Sequence, residues 1–118
     1  MTEYLLLFRN FTSENENSDT STSFEVMVPK WQSWISTIAQ QGKLVHTAPI
    51  HPDSHIVSNN GVISSTSNLE SNVFSINGFL ICKSNSLEEV QQWSKTCPIL
   101  EYQQGTVEIR PLIPFPTA

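Results

Sequence analysis

The chain opens on a run in which every position is apolar. In residues 3–9, EYLLLFR, Tyr4, Leu6 and Phe8 alternate with Leu5 and Leu7. A strand that is apolar on both alternating sets expects cover on both faces of its sheet. Residues 10–23, NFTSENENSDTSTS, have almost no apolar anchors and predict a mobile loop. Met27, Trp31, Trp34, Ile35 and Ile38 then recur on one face of a 3.6-residue period, which predicts an amphipathic helix. Pro29 fits its first turn, where a missing N–H is harmless, and Gly42 ends it. A start near Ser23 would instead put Pro29 inside the helix and bend it.

Residues 43–50, KLVHTAPI, read as a strand in which Leu44, His46 and Ala48 share one face and Val45 and Thr47 the other. His55 to Ser58 and Val62 to Ser65 flank Asn59-Asn60-Gly61, a strong hairpin signal. Residues 65–72 are polar loop. Residues 73–83, VFSINGFLICK, form a long strand with Phe74, Ile76, Leu80 and Cys82 on one face, and Gly78 suits a bulge or a close backbone approach. Ser86-Leu87-Glu88-Glu89 has the form of a capping box, in which Ser86 accepts from the Glu89 N–H and Glu89 reaches back. The helix it starts turns Leu87, Val90 and Trp93 or Ser94 inward and stops before Pro98. In the last strand, residues 106–112, Val107 and Ile109 oppose Thr106, Glu108 and Arg110. Pro111, Pro114 and Pro116 close the chain with a proline-rich tail over 111–118.

Strand, helix, two or more strands, helix, strand is the split βαβ pattern of an α+β, ferredoxin-like βαββαβ sandwich, here with an extra hairpin. Both helices lie on one face of such a sheet. The doubly apolar first strand then asks for a second subunit on the other face, so a homodimer is expected.

Composition narrows the class. A chain of 118 residues is one domain's worth, here 1–118. The net charge of −5 and the lack of any Lys/Arg run argue against nucleic acid as a partner. YLLLF is far short of the roughly 20 residues that span a bilayer, so no membrane association is expected. The first ten residues have an acid where a signal peptide would have bases, which predicts a cytoplasmic protein. Cys82 and Cys97 are then reduced thiols, read as small buried apolar side chains.

All three histidines fall in LVHTAPIHPDSH. His46, mid-strand, could act as a base if its face lines a cleft, since imidazole is the side chain suited to moving protons near neutral pH. The plainer reading is a histidine hydrogen-bonded at the rim of a dimer interface. His46 and His51 have opposite strand parity, and residues 51–54 read better as a turn with an Asx-type bond from Asp53, so no metal site is expected. No Gly-rich phosphate loop, HExxH, CxxC or nucleophile elbow occurs, and no cofactor is expected.

YLLLFRN, KWQSWI, QGKLV with API after it, INGFLI, SLEEV, CPILEY and GTVEIRPL together resemble the YCII-related proteins, in the branch called the DGPF domain. The resemblance runs from Glu3 to Leu112 apart from the 10–23 loop. It implies two ferredoxin-like sheets facing each other as a dimeric α/β barrel, with a small-molecule cleft near the interface. The Asp-Gly-Pro-Phe tetrad falls on Thr66-Ser67-Asn68-Leu69, where only the apolar last position is kept; Glu70 is one position out of register with the acid that usually follows, where Ser71 stands, and a one-residue slip would restore it. By the same resemblance Arg9, Glu101 and Arg110 contact a substrate anion or carboxylate, the alternative being an Arg–Glu pair that ties neighbouring strands. Two functions follow as expectations. One is a cleft for a small organic acid or phenol, with His46 as general base, Glu70 as its partner, and proton transfer or elimination as the reaction. The other is a catalytically degenerate module that binds a ligand or a protein.

Overall fold

The computed structural model describes residues 1–12, 24–51, 53–66 and 73–116. Along the chain come β1 (Thr2–Thr12), α1 (Phe24–Ala39), β2 (Leu44–Pro49), β3 (Ser54–Val57), β4 (Ile63–Thr66), β5 (Val73–Ser84), α2 (Leu87–Ser94) and β6 (Thr106–Pro111). Four strands form one sheet in the order β2-β5-β1-β6, every pair antiparallel, and β3 and β4 form a separate hairpin. With the hairpin set aside, this is the ferredoxin-like order, the first strand and the one entering α2 in the centre.

The helical face of the sheet holds the core. Tyr4, Leu6 and Phe8 of β1, Leu80 and Cys82 of β5, and Trp34 and Ile38 of α1 are all buried. Phe8 meets Trp31 and Trp34 edge-on, with ring centroids 4.9 and 5.7 Å away, a favoured aromatic geometry. The buried Trp34 indole keeps its hydrogen bond by donating to the Trp93 carbonyl at 2.9 Å.

Several local expectations change. β1 runs on to Thr12, pairing with Val73, so the expected 10–23 loop loses its first three residues to a strand, and residues 13–23 lie outside the described ones. α1 begins at Phe24, with Pro29 inside it. Burial of Met27, 2% exposed, ties the turn before the proline to the core. Leu87, expected to turn inward, is exposed, while Val90 and Ser94 are buried as expected. Only half of the capping box forms. The Ser86 hydroxyl accepts from the Glu89 N–H at 3.1 Å, but the Glu89 carboxylate turns away from the cap. It takes Lys43 Nζ at 2.8 and 2.9 Å and the Ser84 hydroxyl at 2.6 Å, while Ser84 Oγ accepts from the Ser86 N–H. A charge-assisted link to the sheet replaces a local cap bond. The Lys43 hydrogen bonds first, then that of Ser84, hold Glu89 below the usual carboxylate range.

Pro98–Glu101 form a single 3-10 turn between α2 and β6 that periodicity did not reveal. It buries Pro98 and Ile99 under the sheet, and Gly105 lies against it. A Cβ on Gly105 would sit 1.8 Å from the Ile99 carbonyl oxygen. That close approach sets where β6 begins.

Candidate functional site

Both helices cover the same side of the sheet, and the shortest dimension of the molecule is 19 Å, the depth of one sheet and one helix layer. The other side is open. Leu5, Leu7, Phe79 and Ile81 point there and are only half-buried, while Val45 at the sheet edge is 46% exposed.

Two β-bulges decide what else reaches this face. Leu44 pairs with Cys82 but His46 pairs with Ile81, which makes Val45 the extra residue. An extra residue reverses side-chain parity. Leu44 therefore packs on the helical core while His46 joins Ala48 on the open face, so the expected sharing of one face by Leu44 and His46 does not hold. The His46 ring lies 5.6 Å from that of Phe79. On β5, Phe8 pairs with Gly78 and Arg9 with Ile76, leaving Asn77 as the extra residue. Ile76 thus shares the open face with Arg9 and departs from the face of Leu80 and Cys82.

Register lines these residues up. His46 pairs with Ile81, Ile81 with Leu5, and Leu5 with Arg110, so one row crosses all four strands. Ala48, Phe79, Leu7 and Glu108 make the next row. Three strand spacings put the His46 and Arg110 backbones about 14 Å apart. The two long side chains stand at opposite ends of an apolar strip made by Ile81 and Leu5.

Glu108 organises the basic end. Its carboxylate lies 3.0 Å from Arg9 and 3.5 Å from Arg110. The pairing of Arg with Glu across neighbouring strands is present, but its acid is Glu108. Glu101 lies on the helical side of the sheet, 2.6 Å from Lys30, above an open notch that includes Pro29, Trp34 and Pro98. It does not meet Arg9 or Arg110, because the 3-10 turn that carries it packs under the sheet. The strand parity of Glu108 with Arg110 was readable in the sequence. Its registry against Leu7, which sets it between two guanidiniums, was not.

His51 and His55 are exposed and lead into the hairpin. His51 Nδ1 accepts from the Asp53 N–H at 3.1 Å and lies 3.8 Å from the Asp53 carboxylate, while Pro52, in the middle of the expected turn, lies outside the described residues. Among the described residues no group of three or more His, Cys, Asp or Glu could hold a metal ion. Glu70, with residues 67–72, lies outside the described residues, so its expected partnership with His46 has no geometry to report. Both thiols are buried; burial pushes Cys82 up to about 11 and Cys97 up to about 12, which leaves them protonated and inert near neutral pH. No described helix is long and apolar enough to cross a membrane.

No protein-family model matches the chain, and no curated protein matches it. Among solved structures, the chain is similar to 5-chloro-2-hydroxyhydroquinone dehydrochlorinase from Burkholderia phenoliruptrix in its complex with 2,5-dihydroxybenzoquinone. The match has a TM-score of 0.50 at 13% identity and covers 94% of this chain and 93% of that one. At such identity the likeness shows the α+β fold.

Proposed function

We propose that the protein is a cytoplasmic, YCII-related homodimer of the DGPF-like branch, whose open sheet faces pair as an α/β barrel around a small-molecule cleft. The row from His46 over Ile81 and Leu5 to Arg110 carries this reading. An apolar floor bounded by a few polar groups is the usual make-up of a small-ligand site. A planar phenol, hydroxyquinone or small organic acid would lie on the aliphatic pair, with one oxygen toward the imidazole and its negative charge toward the guanidiniums. The neighbour's bound dihydroxybenzoquinone is a ligand of that kind. If reaction follows, His46 takes the proton of the ring hydroxyl next to the chlorinated carbon and returns it to that carbon, giving a keto tautomer. His46 then removes the proton of the hydroxyl para to the first; its oxygen becomes a carbonyl, the ring pair forms the new C=C bond, and chloride departs with its bonding pair beside Arg9 and Arg110. Glu70 would orient the imidazole. Glu101, on the far side of the sheet, has no part in the reaction.

A binding module without chemistry is the second reading, and it is favoured by the Thr66-Ser67-Asn68-Leu69 replacement of the acidic tetrad. Calorimetric titration with 2,5-dihydroxybenzoquinone, together with chloride release from a chlorinated hydroxyhydroquinone, separates the two. Binding and release that are both lost in His46→Ala support the enzyme. Binding without release, unchanged in His46→Ala, supports the module. Absence of binding contradicts both.

A further inference from the structure

The hairpin of β3 and β4 is built for a surface that the single chain does not supply. Its turn is well made. Gly61 at φ 80° follows Asn59 and Asn60, its N–H donates to the Ser58 carbonyl at 2.9 Å, and Ser58 donates to Val62 at 2.8 Å. The strands beyond it are exposed at every residue of β3, and they form a two-stranded sheet of their own. Such a ribbon is at best marginally stable in water without packing. Val57 and Ile63 face each other as a cross-strand pair and are 68% and 71% exposed; Ile56 and Val62 are 52% and 54% exposed. Residues 54–66, SHIVSNNGVISST, contain no Asp, Glu, Lys or Arg. Proteins ordinarily guard free strand edges with such charges.

We infer that this hairpin is a dimerisation arm whose Val57–Ile63 side packs on a second copy of the chain. The inference rests on the sheet-face pairing proposed above and adds a second contact to it. Two observations select a second copy as the occupant. Val57 and Ile63 share one face of the ribbon and Ile56 and Val62 turn to the other, so the patch made by Val57 and Ile63 is well below the about 800 Å² per partner of a standard stable complex. The arm is therefore an annex to a larger contact, and the open sheet face is the apolar surface that can supply it. The arm also starts from the rim of that face, because Ser54 follows closely on Pro49, the end of edge strand β2. A phospholipid surface suits it poorly, since the chain carries a net charge of −5 and residues 54–66 offer no Lys or Arg and no Trp, Tyr or Phe.

Sedimentation velocity on the full chain tests this, with Val57→Ser/Ile63→Ser and, separately, Phe79→Asp on the open face. The arm variant should stay dimeric at high concentration but with a dissociation constant raised roughly tenfold or more, since each buried aliphatic side chain is worth about a decade in affinity. Arm amides in the unaltered protein should exchange more slowly as dimer forms; that measurement decides the matter if the variant misfolds. An unchanged dissociation constant, or arm amides that exchange freely in the dimer, overturns the arm while Phe79→Asp monomers leave the sheet-face pairing standing. A 13.3 kDa species at all concentrations removes both. An arm that binds vesicles or another protein, with dimerisation untouched, also overturns the inference.

Discussion

Gly105→Ala should be the most damaging glycine-to-alanine change in the molecule. The new Cβ would lie 1.8 Å from the Ile99 oxygen, 2.8 Å from its carbonyl carbon and 3.3 Å from Cγ1. Relief to a tolerable 3.0 Å requires a movement of about 1.2 Å. The atoms in the way are backbone, and Ile99 is 2% exposed within the core, so no flexible side chain can swing aside. Overpacking of this kind costs typically about 1–3 kcal/mol, and a backbone clash belongs at the top of that range. A loss of about 3 kcal/mol is a large part of the roughly 5–15 kcal/mol that holds a domain folded, and it lowers Tm by roughly 10–15 °C. Urea and thermal melts followed by tryptophan fluorescence measure it. Gly42→Ala is the control, with φ 71° and nothing within 4 Å of its Cβ, and should lose only about 1–2 kcal/mol from left-handed backbone. If the two variants melt together, or Gly105→Ala melts with the unaltered protein, the packing of β6 on the 3-10 turn is wrong. The placement of Glu108 and Arg110 would then be wrong with it.

Glu89 is held below the usual carboxylate range, so its contribution to stability is complete above its unfolded value and is lost as pH falls through the lower folded one. Glu89→Gln should therefore be less stable than the unaltered protein at pH 7, with a gap that closes below about pH 4; urea melts showing the same gap at both would contradict this. Glu108→Gln should tighten binding of an anionic hydroxyquinone by several-fold, because Arg9 and Arg110 lose their internal competitor, with a stability change below about 1 kcal/mol for so exposed a set; calorimetry showing weaker binding refutes it. Cys82 and Cys97 should resist iodoacetamide at pH 8 in the folded protein and react in urea, and rapid labelling of the native protein would show that one of them is accessible.

How far the fold could be read depended on whether periodicity ran unbroken. Trp34 and Ile38 on α1, and the alternation of Val107 with Glu108 on β6, obeyed their periods and went to the expected sides. His46 and Ile76 did not, since Val45 and Asn77 are bulges, and one extra residue inverts every parity beyond it without altering the pattern of residue types. Leu44 and His46 therefore part, although two apart in a strand. Glu89 was legible as a capping residue but not as the partner of Lys43, a contact between positions 46 residues apart. Glu101 looked like a cleft acid only through its family resemblance. The 3-10 turn that carries it to the helical side begins at Pro98 and leaves no hydrophobic period to read.

The proposed ligand site, the proposed pairing of copies and the proposed arm all depend on the open sheet face. Multi-angle light scattering on the full chain at micromolar concentration tests it most directly. Twice the 13.3 kDa chain mass, falling to the single-chain mass in Phe79→Asp with secondary structure intact, is the expected result. A monodisperse 13.3 kDa species in the unaltered protein, or a dimer indifferent to charge at Phe79, would contradict it.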